Sequence, residues 1–236
     1  MAAGSDDAFP YGERTTVLVD GLAAEGVTRM SLLMRHSARE YAPGRHDLEN
    51  PLTERGRALA RAFGARLPAD WVVRAYASPA PRCLDTAELI HAAHLEAGGR
   101  GSGGSRPVEG LGVFYVLDQM RMFKALSVAA EGMHGFVAAW LAGRVSADIV
   151  LPPGTAAVAL VDLLVARLRD QPHEPALDLC VSHDLTLYLL RGQLLGRTPS
   201  AQDPVRYLDG LVFFERDGDV WAAAHDVPPF PLSTAA

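Results

Sequence analysis

The chain has 236 residues, 49% of them hydrophobic and 21% charged, the balance of a packed globular protein and not of a disordered one. A net charge of −6 argues against a nucleic-acid groove, which needs a clustered basic surface, but not against a phosphate ester, since a few inward-pointing arginines can make a positive pocket in an acidic protein. No run of about 18 uncharged apolar residues occurs, and the stretch from Met1 to Pro10 has no apolar core, so neither a membrane span nor a signal peptide is expected and the expected address is the cytoplasm.

Taken in chain order, residues 1–13 read as a loose tail and Thr16 to Glu25 as a short helix weakened by Gly21. Met30, Leu32, Leu33 and Met34 form a short apolar run, which suits a strand buried on both faces. Ser37 to Asn50 is polar, carries Pro43 and Gly44, and reads as a loop. Thr53 is the expected N-cap of a helix whose buried stripe is Leu59, Phe63 and Leu67, with Pro68 beyond its end. Trp71 to Ala77 reads as a second strand and Pro81 to Leu95 as a second helix, followed by a glycine-rich loop from Gly98 to Ser105.

Farther on, Leu111 to Leu117 is strand-like and the region around Arg121 to Leu141 is helical. A helix from Gly154 to Arg169, a strand from Leu177 to Val181 and a helix from Leu185 to Leu195 follow. Leu211 to Glu215 and Val220 to Ala224 form a hairpin turned on Asp217-Gly218. Cys83 and Cys180 belong to no CxxC pair, so no disulfide framework or zinc ribbon is expected, and Cys180 reads as a core residue.

Alternating strands and helices imply right-handed crossover units and a mostly parallel sheet covered on both faces, whose ligand site lies beyond the carboxyl ends of the strands. Those ends read Arg35-His36-Ser37, Ser78-Pro79 and Ser182-His183-Asp184. Any one of them is equally a solvated loop or a helix cap; three together are harder to dismiss. The chemistry they suit is phosphoryl transfer. A phosphomonoester dianion resists nucleophiles until cations surround its oxygens. Arginine matches those oxygens bidentately, neutral imidazole is a nucleophile near neutral pH, and a carboxyl group can protonate the leaving alkoxide.

Leu33-Met34-Arg35-His36, Leu52-Thr53-Glu54-Arg55-Gly56, Ser78 through Ala87, and Ser182-His183 resemble the histidine phosphatase superfamily, also called phosphoglycerate mutase-like, in order and over residues 29–195. The resemblance implies an α/β fold, a three-layer α/β/α sandwich with a mostly parallel central sheet. It implies one domain over residues 1–236 with a capping segment around residues 105–150. It further implies that His36 is the phosphorylated nucleophile and that Arg35, Arg82 and His183 bind the phosphate. Features of two branches are mixed. His183-Asp184 resembles the acid-phosphatase branch, where the aspartate donates the proton, and Arg39 matches that branch's additional phosphate-binding arginine. The Leu-Thr-Glu-Arg-Gly block resembles the mutase branch, whose donor is a glutamate after the third strand; Glu109 and Asp118 are the nearest acids there. Asp184 is therefore the expected general acid, with Asp118 and then Glu109 in reserve. Ser37 stands where the family has glycine, and Tyr41 where the acid-phosphatase motif has proline.

Other residues carry weaker signals. His91 and His94 share a helix face at metal-compatible spacing but suggest no third ligand, so a solvated face is expected. His46, Asp47, Tyr115, Arg121 and Lys124 are candidate substrate contacts only. No P-loop, dinucleotide fingerprint or carboxylate cluster is present, so no cofactor or metal is expected. The reading is a metal-independent phosphomonoester hydrolase acting on a small phosphorylated metabolite, with no nucleic-acid or membrane partner. A phosphomutase, a protein-phosphohistidine phosphatase and a degenerate phosphate-binding regulatory module are its rivals. Substrate identity and oligomeric state have no sequence signal.

Overall fold

The computed structural model describes residues 11–41, 50–101 and 103–232. Among them the strands are β1 (Arg29–Arg35), β2 (Val72–Ala77), β3 (Arg100–Gly101), β4 (Arg106–Pro107), β5 (Ala176–Ser182), β6 (Gly210–Arg216), β7 (Asp219–Ala224) and β8 (Val227–Pro231). The helices are α1 (Glu13–Ala24), α2 (Glu54–Ala65), α3 (Pro81–Glu96), α4 (Gln119–Val128), α5 (Met133–Leu141), α6 (Pro153–Arg169) and α7 (Asp184–Leu195). One sheet of eight strands runs β3-β2-β5-β1-β6-β7-β8, with β4 also paired to β2. The β1-β5-β2 centre and its β3 and β4 edge are parallel; β6, β7 and β8 continue from β1 antiparallel.

Two apolar clusters, one on each face, make this the expected α/β/α sandwich. Met30, Leu32 and Met34 of β1 join Leu177, Leu179 and Val181 of β5 in a core with α1, α2 and α3. The alternate side chains Leu33 and Cys180 face Trp140, Leu160, Leu164 and Leu189 from α5, α6 and α7. Because both faces are covered, β5 is buried along its whole length, which is why it reads as a continuous apolar run. Burial also pushes the Cys180 thiol up to about 12, so it behaves as a small core residue.

The register positions the site. Arg35 lies opposite Ser182 in the β1–β5 ladder, and Ala77 opposite Val181 in the β2–β5 ladder. The next backbone amides continue both ladders: His36 N donates to Ser182 O at 2.9 Å and Ser78 N to Val181 O at 2.9 Å. His36, Ser78 and His183 therefore leave three adjacent strands at one edge of the sheet.

Several expectations are corrected. Leu111 to Leu117 is not a strand: Glu109–Leu111 is a 3-10 turn, and the rest makes only a Val116–Val150 bridge. The edge of β2 that such a strand could join is already taken by β3 and β4, and Ser182 Oγ ties the Leu111 carbonyl into the turn at 2.6 Å. The glycine-rich loop contains β3, and α1 begins at Glu13, earlier than its apolar spacing suggests. β8 escaped the sequence reading because Pro228, Pro229 and Pro231 argue against a strand, yet proline is tolerated at a sheet edge. The hairpin turn is as expected, with Asp217 at φ 54° and Gly218 at φ 86°. His46 and Asp47, with most of the Ser37–Asn50 loop and the tail before Tyr11, lie outside the described residues.

Helix α2 approaches α3 at Gly64, where a Cβ would lie 2.1 Å from the Ile90 carbonyl oxygen. Gly64→Ala should therefore destabilise the protein by about 1–3 kcal/mol, because the two backbones must separate. Urea denaturation checks this, and a variant as stable as the parent would show that the α2–α3 contact is soft.

Candidate active site

His36 is buried, with 2% of its surface exposed. Its Nδ1 lies 2.8 Å from the Ser37 carbonyl oxygen, an acceptor only, so Nδ1 carries the hydrogen and Nε2 the lone pair. Arg82 Nε, a donor only, points at that Nε2 from 3.1 Å. Both bonds select one tautomer. Burial first, then the charges of Arg35 and Arg82, hold the imidazole well below its ordinary pKa. The ring is thus neutral at physiological pH with its nucleophilic nitrogen facing a guanidinium.

The loop after His36 is held by the second motif. Thr53 caps α2 through a 2.9 Å bond from Gly56 N, and its own amide donates to the Ala38 carbonyl at 3.0 Å. Ser37 Oγ donates to the Gly56 carbonyl at 2.7 Å, while Ser37 N donates to Thr86 Oγ1 at 3.1 Å. A Cβ on Gly56 would sit 2.0 Å from the Ala38 carbonyl oxygen, so only glycine fits. The Ser37 departure is accommodated, since its backbone is not left-handed and its hydroxyl is used.

Arg82, in the first turn of α3, also reaches His183, with Nη2 3.3 Å from His183 Nδ1. Ser78 Oγ lies 2.9 Å from His183 Nε2. Arg35 forms an ion pair with Asp184, Nη2 to Oδ2 at 2.9 Å, and donates from Nη1 to the Val205 carbonyl at 2.6 Å. Its Nε is buried without a hydrogen-bond partner among the described residues. A guanidinium N–H left without a partner is a ready donor to an anion.

Asp184 opens α7, with Oδ1 accepting from Leu185 N at 2.8 Å. Burial pushes its carboxyl up, but Arg35, the Leu185 amide, His183 and Arg39 together hold it below the ordinary carboxylate range. Arg39 sits at the rim: its backbone bridges to Leu52 and its guanidinium donates to the Glu40 carbonyl at 3.2 Å. Of the reserve acids, Asp118 caps α4 by accepting from Arg121 N at 3.0 Å. Glu109 is exposed on the 3-10 turn directly after β4, a turn whose Gly112 faces Ser78 Oγ, 3.6 Å from a Cβ built there.

Three further residues border the site without having been singled out as site residues by sequence. Ser78 and Thr86 lie within motifs already noted; Tyr207 lies in none. Its ring centroid is 4.2 Å from Arg35 Cζ and 5.8 Å from the His36 ring. Of the weaker candidates, Tyr115 is fully buried, hydrogen-bonded to Thr186 and stacked near Trp140, so it is a core residue. Arg121 pairs with Asp148, and Lys124 is exposed. His91 and His94 are not on a solvated face: they are 2% and 0% exposed, and the missing side chains of Gly99 and Gly101 leave room for their rings. Among the described residues no group of three His, Cys, Asp or Glu side chains could hold a metal, and no helix is long and apolar enough to cross a membrane.

The parallel-centred α/β/α sheet gives the chain a phosphoglycerate mutase-like fold, with a buried, arginine-flanked histidine beyond its first strand. Over residues 31–97 the chain matches the family model of the histidine phosphatase superfamily (branch 1). The fold is similar to that of YhfR from Bacillus stearothermophilus, at TM-score 0.54 and 20% identity over 84% of this chain and 98% of that one. It is similar to a phosphoglycerate mutase from Bacillus anthracis str. Sterne at TM-score 0.53 and 16% identity, covering 85% and 94%. It also resembles a phosphoserine phosphatase from Entamoeba histolytica, in complex with 3-phosphoglyceric acid, at TM-score 0.50 and 16% identity, covering 86% and 95%. No curated protein matches the chain in sequence.

A histidine kept neutral by folding has a linkage signature. Below about pH 6.5 the unfolded chain takes up a proton on His36 that the folded one refuses, so stability falls as pH drops. In His36→Asn the loss of unfolding free energy between about pH 7.5 and pH 5.5 should be smaller by about 1 kcal/mol. Urea titrations at both pH values measure it; equal pH slopes in parent and variant would contradict a neutral buried His36.

Proposed function

We propose that the protein is a phosphomonoester hydrolase that works through a phosphorylated His36 and needs no metal. The observation that carries this reading is the His36 Nε2 lone pair, exposed by the Nδ1–Ser37 bond and facing Arg82. A phosphate dianion entering between Arg35 and Arg82 accepts hydrogen bonds from both guanidinium groups, including Arg35 Nε, and so draws Arg82 Nε off His36 Nε2, leaving it able to attack. His36 Nε2 then bonds to phosphorus while the ester oxygen leaves with its electron pair and accepts a proton from an acid. Water next attacks the phosphohistidine, gives a proton to the same carboxylate, and releases inorganic phosphate and neutral His36. His183, bonded to Ser78 and facing Arg82, completes the phosphate cradle. The arginines supply the positive charge that a metal would otherwise provide.

Asp184 is the acid this reading favours, and the ion pair with Arg35 explains how an ionised carboxylate can serve. The incoming phosphate competes for the same guanidinium and adds negative charge beside the carboxylate, both of which raise its affinity for a proton. The substrate class is a small phosphorylated metabolite, with the capping segment around residues 105–150 selecting it.

Hydrolysis of p-nitrophenyl phosphate should be unchanged in excess EDTA and inhibited by vanadate. A base-quenched turnover should leave an acid-labile label on the peptide containing His36, absent in His36→Ala. Activity lost to chelation and restored by a divalent ion, or a label on serine or aspartate, would sink the mechanism.

The acid has its own test, because a donor matters in proportion to the basicity of the leaving group. Asp184→Asn should slow single-turnover cleavage of an alkyl phosphate by a factor on the order of 10²–10⁴, and of p-nitrophenyl phosphate far less. If Glu109→Gln or Asp118→Asn alone shows that dependence, the acid belongs to the capping segment and Asp184 serves to hold Arg35.

A further inference from the structure

The turn from Val205 to Asp209 engages Arg35 at its backbone amide, its backbone carbonyl and its guanidinium. Asp209 O accepts from Arg35 N at 2.9 Å, and Leu208 N donates to Arg35 O at 3.2 Å. Val205 O accepts from Nη1 at 2.6 Å, and the Tyr207 ring covers the guanidinium at 4.2 Å. With Nη2 on Asp184, only Nε is left without a partner among the described residues.

This turn is built at some cost. Leu208 is a fully buried leucine at φ 62°, a left-handed conformation that strains a residue bearing a side chain. It is held there by packing beside Gly12, by a 2.7 Å bond from Thr15 Oγ1 to its carbonyl, and by Asp209 Oδ2 accepting from Arg206 N at 2.8 Å. The left-handed residue immediately follows Tyr207, whose ring is also braced edge-on by Tyr11 at 5.3 Å. Strain kept next to a candidate site, and surrounded by bonds that fix it, invites a functional reading.

We propose that Tyr207 is a positioning residue for phosphate binding: its ring face holds the Arg35 guanidinium in the orientation that leaves Nε–H without a protein partner, for a phosphate oxygen to accept. The proposal rests on the phosphatase reading above and names a residue that reading does not require. Without the ring, the guanidinium is free to turn fully onto the Asp184 carboxylate, the competing bidentate partner, and phosphate must displace a stronger ion pair. The flat, negative face of the ring is the active element, and the phenol hydroxyl is not.

The test uses the full chain with p-nitrophenyl phosphate as substrate and orthovanadate as a binding probe. Tyr207→Phe keeps the face and should match the parent within about twofold. Tyr207→Leu keeps bulk and loses the face; KM and the vanadate dissociation constant should each rise about tenfold while kcat changes much less, since a lost phosphate anchor weakens ground and transition states alike. The melting temperature should stay near that of the parent. Tyr207→Trp, with the strongest ring face, should bind vanadate as tightly as the parent or tighter, and it carries the test if the leucine variant fails to fold. Vanadate binding by Tyr207→Leu equal to the parent's overturns the proposal, as does a phenylalanine variant as impaired as the leucine one, or a folded tryptophan variant that binds more weakly. A parent protein that binds neither vanadate nor inorganic phosphate overturns the phosphatase reading itself, and this proposal with it.

Discussion

The hydrogen bond from His36 Nδ1 to the Ser37 carbonyl is the constraint on which the site depends. Imidazole offers a nucleophile only from the nitrogen that lacks a hydrogen, and this bond decides which nitrogen that is. The bond holds only if the Ser37 peptide cannot rotate. Thr86 and Gly56 prevent that, one gripping the Ser37 amide and the other accepting its hydroxyl. Gly56 in turn must lack a side chain to let α2 close on Ala38. The chain of necessity runs from a glycine on one helix to a lone pair on another element.

The same bond explains why a buried histidine can lie among permanent cations. A protonated His36 would face Arg35 and Arg82 without water to screen it, so the proton is expelled and the ring stays neutral. In the proposed reaction, a cluster that would be destabilising without an anion becomes a cradle once a phosphate enters. Asp184 is the resident carboxylate that pairs with Arg35 meanwhile, and the other carboxylates of an acidic chain pair elsewhere, as Asp178 does with Arg74 on β2 and Asp203 with Arg191 on α7.

The sequence was legible where local pattern decides the structure. His36 and His183 lie at the ends of strands whose apolar runs are plain, and parallel pairing with a fixed register turns sequence-distant ends into neighbours. Thr53 was legible as a cap because capping is a local hydrogen bond. The failures have the opposite origin. Tyr207 reaches Arg35 through a turn whose Val205 carbonyl lies 170 positions away in the chain, and nothing near Tyr207 announces it. His91 and His94 look like polar surface by spacing; their burial depends on two glycines that remove side chains from the facing edge. Leu111 to Leu117 has strand composition, but the sheet edge it would need is occupied.

The capping segment shows how the site divides its labour. His36, Ser78 and His183 follow strand ends fixed by the β1–β5 and β2–β5 ladders, so their positions are set by the fold itself. The turn around Glu109 to Gly112 hangs instead from a few bonds, chiefly Ser182 Oγ to Leu111 O and the Val116–Val150 bridge, and then leads into α4, where Met120 is 79% exposed and Leu117 just before it is 54% exposed. The segment's exposed positions can change without disturbing His36 or its arginines, whereas Leu111, Tyr115 and Trp140 are core residues. In the proposed reaction the phosphate half of any substrate meets a constant environment, and the alcohol half meets a variable one.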